Sequence, residues 1–262
     1  MEVARCPVPV DTYAPGGATN AYVLGSRPAV LVDPAGRTAD LDRLVREGEI
    51  AHIVLTHTHP DHVGAVADYA AETGATVWAR RGRTAQFAAA TGIEPDRCYD
   101  SGTRLPLGDD AVTLLETPGH APEHTAVVAG EGGPVLCGDC AVREGSVVVG
   151  APEGDMRAYL STLRRLWATN PPRLYPGHGP VIDDPRGTCE RLIAHRLERE
   201  RRIEAAVDGG ARTLEAVLDA AYEKDLAGVR DLARATVVAH LEKLAVEGAV
   251  GWDPARETVA PR

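Results

Sequence analysis

Lysine is almost absent from this chain: Lys224 and Lys243 are the only two, and arginine supplies the remaining positive charge. The skew reads as compositional bias and carries no mechanism. A basic excess is absent as well. The formal net charge is −10 and the pI is near 5.4, which counts against a nucleic-acid partner, whose binding rests on a basic surface. No apolar run approaches the roughly 20 residues that a bilayer-spanning helix needs. The opening stretch "MEVARCPVPVDTYAPGG" has no apolar core of a signal peptide, so the expectation is a cytoplasmic protein with no membrane association. Low-complexity tracts are missing and 25% of the residues are charged, a composition that does not point to disorder. The five cysteines (Cys6, Cys98, Cys137, Cys140 and Cys189) are odd in number and scattered, which argues against a disulfide framework. "CGDC" has C-x-x-C spacing, but a redox pair opens a helix, whereas Cys137 closes an apolar run.

What is present, 262 residues of which 44% are hydrophobic, suffices for one large domain or one domain with a small appendage. Short apolar runs alternate with amphipathic stretches. "NAYVLG", "AVLVDPA" and "IAHIVLT" read as strands bounded by Gly, Pro or Asp, with a helix over 39–48 between the second and third. "AVADYAAETG" reads as a helix ended by Gly74. Then follow "ATVWAR", a helix near 84–91, "VTLLETPG", "TAVVAG", "GPVLCGD", a helix near 155–167 and "RLYPGHG". The "EGG" turn joins two of these strands as a hairpin. The pattern predicts a mixed α/β sheet.

The character changes near residue 185, and the expected division is a main domain over 1–187 and a C-terminal domain over 188–262. The tail reads as a long helix stopped at Asp208-Gly209-Gly210, then "TLEAVLDAAY" with Thr213 as N-cap, then "LARATVVAHLEKLAVEG". Two short extended runs around an Asp-Pro turn close it. Three helices and a small hairpin follow the order of a winged-helix module. The alternative is a helical cap that makes a homodimer. Residues 190–262 hold 12 basic against 14 acidic side chains, and a surface like that gains little from counterion release, which counts against DNA.

"LTHTHPDHVGA" is the informative stretch. It crowds His57, His59, Asp61 and His62 together, and such polar groups are costly to bury unless paired. His57 and His59 are two apart and point the same way in an extended segment; Asp61 and His62 open the next helix. Three further ligand types stand downstream: His120 in "LETPGHAPEH", Asp139 in "VLCGDC" and His178 in "LYPGHGP". Each follows a predicted strand, so all can converge on one sheet edge, the usual place for a site in α/β architecture. Imidazoles and carboxylates suit zinc, and these ligand types also accept manganese or iron.

H-x-H-x-D-H followed by Gly-His, Gly-Asp and Gly-His resembles the metallo-β-lactamase superfamily. Asp33 in "VLVDPA" matches its first motif, a support for the metal loop. The resemblance covers residues 15–185. It implies a four-layer αββα sandwich with a dinuclear zinc site along one edge, His57, His59 and His120 on one metal, Asp61, His62 and His178 on the other, and Asp139 bridging both. The tail resembles the branch typified by β-lactamase-like protein 2, in which an "HR…RE" helix, here His195-Arg196 and Arg199-Glu200, precedes a winged helix. His124 also fits that branch, as a residue that orients a ligand or touches substrate, and His195 joins it in that class. Cys140, beside Asp139, reads as a small buried residue.

Two zinc ions about 3.5–4 Å apart activate a shared hydroxide, polarise the scissile bond and stabilise the departing anion, with Asp61 or a metal-bound water handling the proton. The expectation is hydrolysis of a small-molecule or carrier-bound acyl ester or thioester. The alternative is an endoribonuclease acting on single-stranded RNA, for which Arg80, Arg81 and Arg83 in "ARRGR" offer a basic groove. A third reading is a metal-dependent winged-helix regulator without catalysis. β-Lactam hydrolysis is disfavoured because true β-lactamases of the superfamily lack the bridging aspartate. A capped processing nuclease is disfavoured because only 38 residues separate Asp139 from His178. Glyoxalase II shares the ligand set but has a different all-helical tail. Iron-based oxidation uses a single metal, for which a second complete set is superfluous.

Overall fold

Strands that read as continuously apolar have two faces to bury, and the first sheet shows this directly. A computed structural model, which describes residues 1–222 and 226–262, contains six strands in this sheet: β1 Val3–Pro9, β2 Ala18–Gly25, β3 Ala29–Val32, β4 Ile50–Val54, β5 Thr76–Arg80 and β6 Arg97–Tyr99, adjacent in that order. β1, β2 and β3 pair antiparallel, whereas β3 to β6 run parallel. Parallel neighbours need crossovers. They are supplied by α1 Ala39–Gly48, by α2 Pro60–Val63 with α3 Val66–Thr73, and by α4 Thr84–Thr91. Thr38 caps α1 by accepting the Leu41 amide at 3.1 Å. Gly74, at φ +64°, ends α3 as its sequence context predicts.

Alternation along each strand divides its side chains between two cores. Ala21, Val23, Leu31 and Ile53 pack with Leu41, Tyr69 and Phe87 of the helices. Tyr22, Leu24, Val32 and Val54 instead face Leu105, Leu114, Val127 and Leu136 of a second sheet. That sheet comprises β7 Thr103–Leu107, β8 Asp110–Glu116, β9 Thr125–Ala129, β10 Val135–Gly138 and β11 Leu174–Pro176, ordered β11-β10-β9-β8-β7. Its pairings are antiparallel except β10–β11, and the β9–β10 hairpin turns at the predicted "EGG". Two sheets packed face to face with helices on the outer side of the first give the mixed α/β class of the expected sandwich.

The sequence pattern missed β1, β6 and β7. β1 carries Pro7 and Pro9, β7 carries Pro106, and both lie at sheet edges, where proline is tolerated because no ladder donor is required. β6 is only three residues long.

The chain resolves into two compact units. The first comprises Met1–Thr117, Glu123–Gly145 and Asn170–Pro185; the second comprises Pro118–Pro122, Ser146–Thr169 and Arg186–Arg262. The second unit contains α5 Met156–Thr169, most of α6 Pro185–Asp208, α7 Leu214–Ala221, α8 Arg230–Glu247 and an antiparallel pair, β12 Val250–Asp253 and β13 Thr258–Pro261. Val207, Leu218, Val237, Leu241, Val250 and Val259 belong to its own core. Thr213 caps α7 through the Ala216 amide at 3.3 Å. Among the described residues no helix is long and apolar enough to cross a membrane.

Polar bonds join the two sheets of the first unit. Asn20 Nδ2 on β2 donates to the carbonyls of Pro176 and Gly179, and the Tyr22 hydroxyl donates to Pro176 O at 2.6 Å. Tyr22→Phe is expected to lower the unfolding free energy by about 1 kcal/mol, because the Pro176 carbonyl keeps its Asn20 donor. Asn20→Ala is expected to cost roughly twice that. Urea denaturation measures both; equal stability in all three proteins would show that these bonds do not hold the sheets.

Candidate metal centre

Asp33 follows β3 in a left-handed backbone conformation, φ +49°, that few residues other than glycine, asparagine and aspartate adopt. The bend turns its carboxylate inward, where it is 1% exposed. Oδ1 accepts the Thr56 amide at 2.6 Å, while Oδ2 accepts the Thr56 hydroxyl at 2.7 Å and the His62 Nδ1 proton at 3.0 Å. The Thr56 hydroxyl has one proton and gives it to Asp33, so towards His57 Nδ1 at 3.0 Å it acts as acceptor. His57 and His62 therefore both carry the proton on Nδ1 and direct the Nε2 lone pair inward.

Two other histidines are anchored the same way. His120 Nδ1 donates to Val148 O at 2.7 Å and His178 Nδ1 donates to Ala18 O at 3.0 Å. Fixing the tautomer through the remote ring nitrogen is the usual arrangement of a metal-ligating histidine. Asp61, His62 and His178 form one group whose ligand atoms all lie within 4.8 Å of one another, and His57, His62 and Asp139 form another. Asp139 also stands beside the Asp61, His62 and His178 group, with Oδ1 3.8 Å from His62 Nε2 and Oδ2 3.4 Å from His178 Nε2.

These residues fit a cation. His62 Nε2 is buried and has no hydrogen-bond partner among the described residues; its nearest carboxylate oxygen, at 3.8 Å, is too far for a hydrogen bond. Burial disfavours a charged His62 ring, yet the carboxylates of Asp33, Asp139 and Asp61 more than offset it and hold the pKa above the ordinary histidine value. His178 behaves alike: burial pulls its pKa down, and Asp139 with Asp61 raises it to about 9. Carboxylate charge in this pocket calls for positive charge, and neutral imidazoles with carboxylates are the donors of first-row divalent metals.

His124 has a different job in this geometry. Its ring is fully buried, and Nε2 accepts the Asp139 amide at 3.0 Å while Nδ1 faces Thr117 Oγ1 at 2.8 Å. It thus orients the Asp139 backbone and has no lone pair left for a metal. Cys140 is 1% exposed, with its thiol directed at Thr117 O. His195 lies on α6, exposed, and joins none of the His/Asp groups among the described residues. Sequence reasoning missed Thr56 and also Thr12, whose hydroxyl donates to Asp61 Oδ2 at 2.6 Å. Two glycines make the room. A Cβ at Gly177 would lie 2.4 Å from Asp139 Oδ1, and one at Gly138 would lie 2.6 Å from His124 Nε2.

An anchored His/Asp constellation on a two-sheet α/β scaffold defines a metal-dependent hydrolase. A family model described as the metallo-β-lactamase superfamily matches residues 14–178, and the chain belongs to that superfamily. It is similar to the β-lactamase-like protein 2 homolog of Drosophila melanogaster, with 31% identity over 252 residues, covering 88% of this chain and 83% of the relative. It is also similar to a thioesterase of Emericella nidulans, 28% identical over 217 residues, which cover 78% of this chain and 59% of that protein. Among solved structures, a metallo-β-lactamase family protein of Thermus thermophilus superposes with a TM-score of 0.78 at 25% identity, covering 99% of this chain and 98% of the other.

Asp33→Asn keeps size and shape but replaces one acceptor oxygen with an NH2 group. Thr56 and His62 then lose the carboxylate that sets their protons, and metal affinity is expected to fall by about 10–100-fold. Competition with a chromophoric chelator measures this. Wild-type affinity in the variant would remove Asp33 from the centre.

Proposed function

We propose that the chain is a dinuclear metal hydrolase, with zinc as the expected pair, acting on small acyl esters or thioesters, carrier-bound thioesters included. The observation that carries this reading is Asp139, which groups with His57 and His62 while its Oδ2 lies 3.4 Å from His178 Nε2, so it stands beside a proposed ligand of each cation. His57, His59 and His120 would hold one cation; Asp61, His62 and His178 would hold the second, and Asp139 would serve both. Bound there, two divalent cations supply Lewis acidity and make water nucleophilic near neutral pH.

The chain's own groups do the rest. Thr12 engages Asp61 Oδ2, which fixes the carboxylate in one rotamer beside His178 and readies it to take the proton from the attacking water. Water adds to the acyl carbon, the C–S or C–O bond breaks, and the departing thiolate or alkoxide collects a proton as the acid is released. No serine or cysteine nucleophile is needed, in keeping with Cys140 being buried behind Asp139.

Charge supports an acyl substrate over RNA. Arg80 pairs with Glu116 at 2.8 Å and Arg81 pairs with Asp100 at 2.9 Å, so two of the three arginines of the "ARRGR" stretch have their charge matched. The same holds against DNA in the C-terminal unit, which we read as winged-helix-like. On α8, Arg230 is held by Glu215 and Asp219, Arg234 by Glu215 and Glu257, and Lys243 by Glu200 and Glu247.

Purified protein is expected to hold two metals per chain, and Asp139→Ala and His178→Ala each about one, with acyl-thioester turnover down by at least roughly 100-fold. Elemental analysis and a thiol-release assay measure these. One metal in the wild type, or undiminished turnover in both variants, rules the reading out. Cleavage of labelled single-stranded RNA that His59→Ala abolishes, with no thioester turnover, keeps the centre and replaces the substrate.

A further inference from the structure

Thr58 stands between two of the proposed ligands, His57 and His59. In an extended segment it faces away from the side they share. What meets it there is Glu123. The Thr58 amide donates to Glu123 Oε1 at 3.0 Å, and the Thr58 hydroxyl donates to the same oxygen at 2.7 Å. Gln86 of α4 completes the set, its Nε2 donating to Thr58 Oγ1 at 3.0 Å. The Thr58 hydroxyl thus gives one bond and receives one, which leaves it no freedom to rotate.

We propose that Glu123 is a positioning residue that, through Thr58, holds His57 and His59 at the spacing a metal requires; this rests on the metal-centre reading above.

The cost of placing Glu123 here argues that the bond is used. The residue is 4% exposed, and Oε2 has no hydrogen-bond partner among the described residues. Burying a carboxylate with half its acceptors idle is unfavourable. A neutral acceptor could bind Thr58 at lower cost, but an ionised oxygen forms the stronger bonds. Its sequence neighbour has a matching job: His124 holds the Asp139 amide. Adjacent residues just before β9 therefore brace two separate parts of the centre, the His57–His59 segment and Asp139.

The test uses the full chain and Zn2+ as the probe. Metal-free wild type, Glu123→Ala, Glu123→Gln, Thr58→Val and the Glu123→Ala/Thr58→Val double variant are titrated against a chromophoric chelator. Melting temperature and thioester kcat and KM are measured alongside. Glu123→Ala is expected to weaken zinc binding by about tenfold or more and to lower kcat with KM little changed. Glu123→Gln, which keeps an acceptor oxygen for Thr58, is expected to recover most of the affinity. The double variant is expected to bind no worse than Glu123→Ala alone, since both changes break one connection.

Wild-type zinc affinity in Glu123→Ala overturns the proposal, as does an equal loss in the Ala and Gln variants that follows melting temperature alone. Should Glu123→Ala not fold, Thr58→Val decides: weakened zinc binding supports the positioning role, and unchanged binding overturns it. A wild type that takes up two zinc ions beside indifferent variants sinks this inference only. A wild type that takes up none sinks the metal-centre reading and this inference together.

Discussion

Asp33 receives the Thr56 amide, the Thr56 hydroxyl and the His62 ring proton on two buried oxygens. Each of those donors settles something further out. The amide fixes where the chain leaves β4, the hydroxyl fixes the His57 tautomer, and the ring proton fixes that of His62. A carboxylate removed from water is stable only when its lone pairs are filled, so the loop has little choice of conformation. The left-handed backbone at Asp33 is a local strain that these bonds over-determine, the pattern expected where geometry serves function.

The rest of the centre depends on how the two sheets meet. His57, His59, Asp61 and His62 follow β4 of the first sheet, while Asp139 and His178 follow β10 and β11 of the second. Their separations are thus set by the packing of Tyr22, Leu24 and Val32 against Leu105, Leu114 and Leu136. Close-packed interiors resist small displacements, which suits donors that must hold a cation within a few tenths of an ångström. Asn20 and Tyr22 fix the same junction by polar means, since both donate to Pro176 just before His178. Gly177 and Gly138 let the two loops approach without a side chain between them.

The proposed ligand set could be read from the sequence because four of its members share one short segment and each of the others follows a predicted strand. Tertiary context was needed for what surrounds them. Carbonyl acceptors such as Ala18 O and Val148 O carry no residue signature, and Thr12 lies 49 residues from the Asp61 it holds. His124 was half legible, as a polar residue near the site; only its bond to the Asp139 amide separates an orienting role from substrate contact. In the fold, the doubly buried strands and capped helices were readable from apolar runs and turn residues. The proline-bearing edges β1 and β7 were not, because proline argues against a strand everywhere except at an edge.

Charge links the centre to the substrate class proposed for it. Asp61, Asp139 and Asp33 concentrate negative charge on a pocket in which His62 and His178 bind protons more tightly than usual. Such a pocket recruits divalent cations by long-range attraction, while a polyanion meets a chain of net charge −10 in which Arg80 and Arg81 are matched by Glu116 and Asp100. An acyl ester or thioester approaches without that penalty, because it is neutral at the reacting carbon and becomes anionic only as the bond breaks. The positive charge that the carboxylates call in is then most useful where the negative charge develops, and that asymmetry between ground and transition state is what a hydrolase needs.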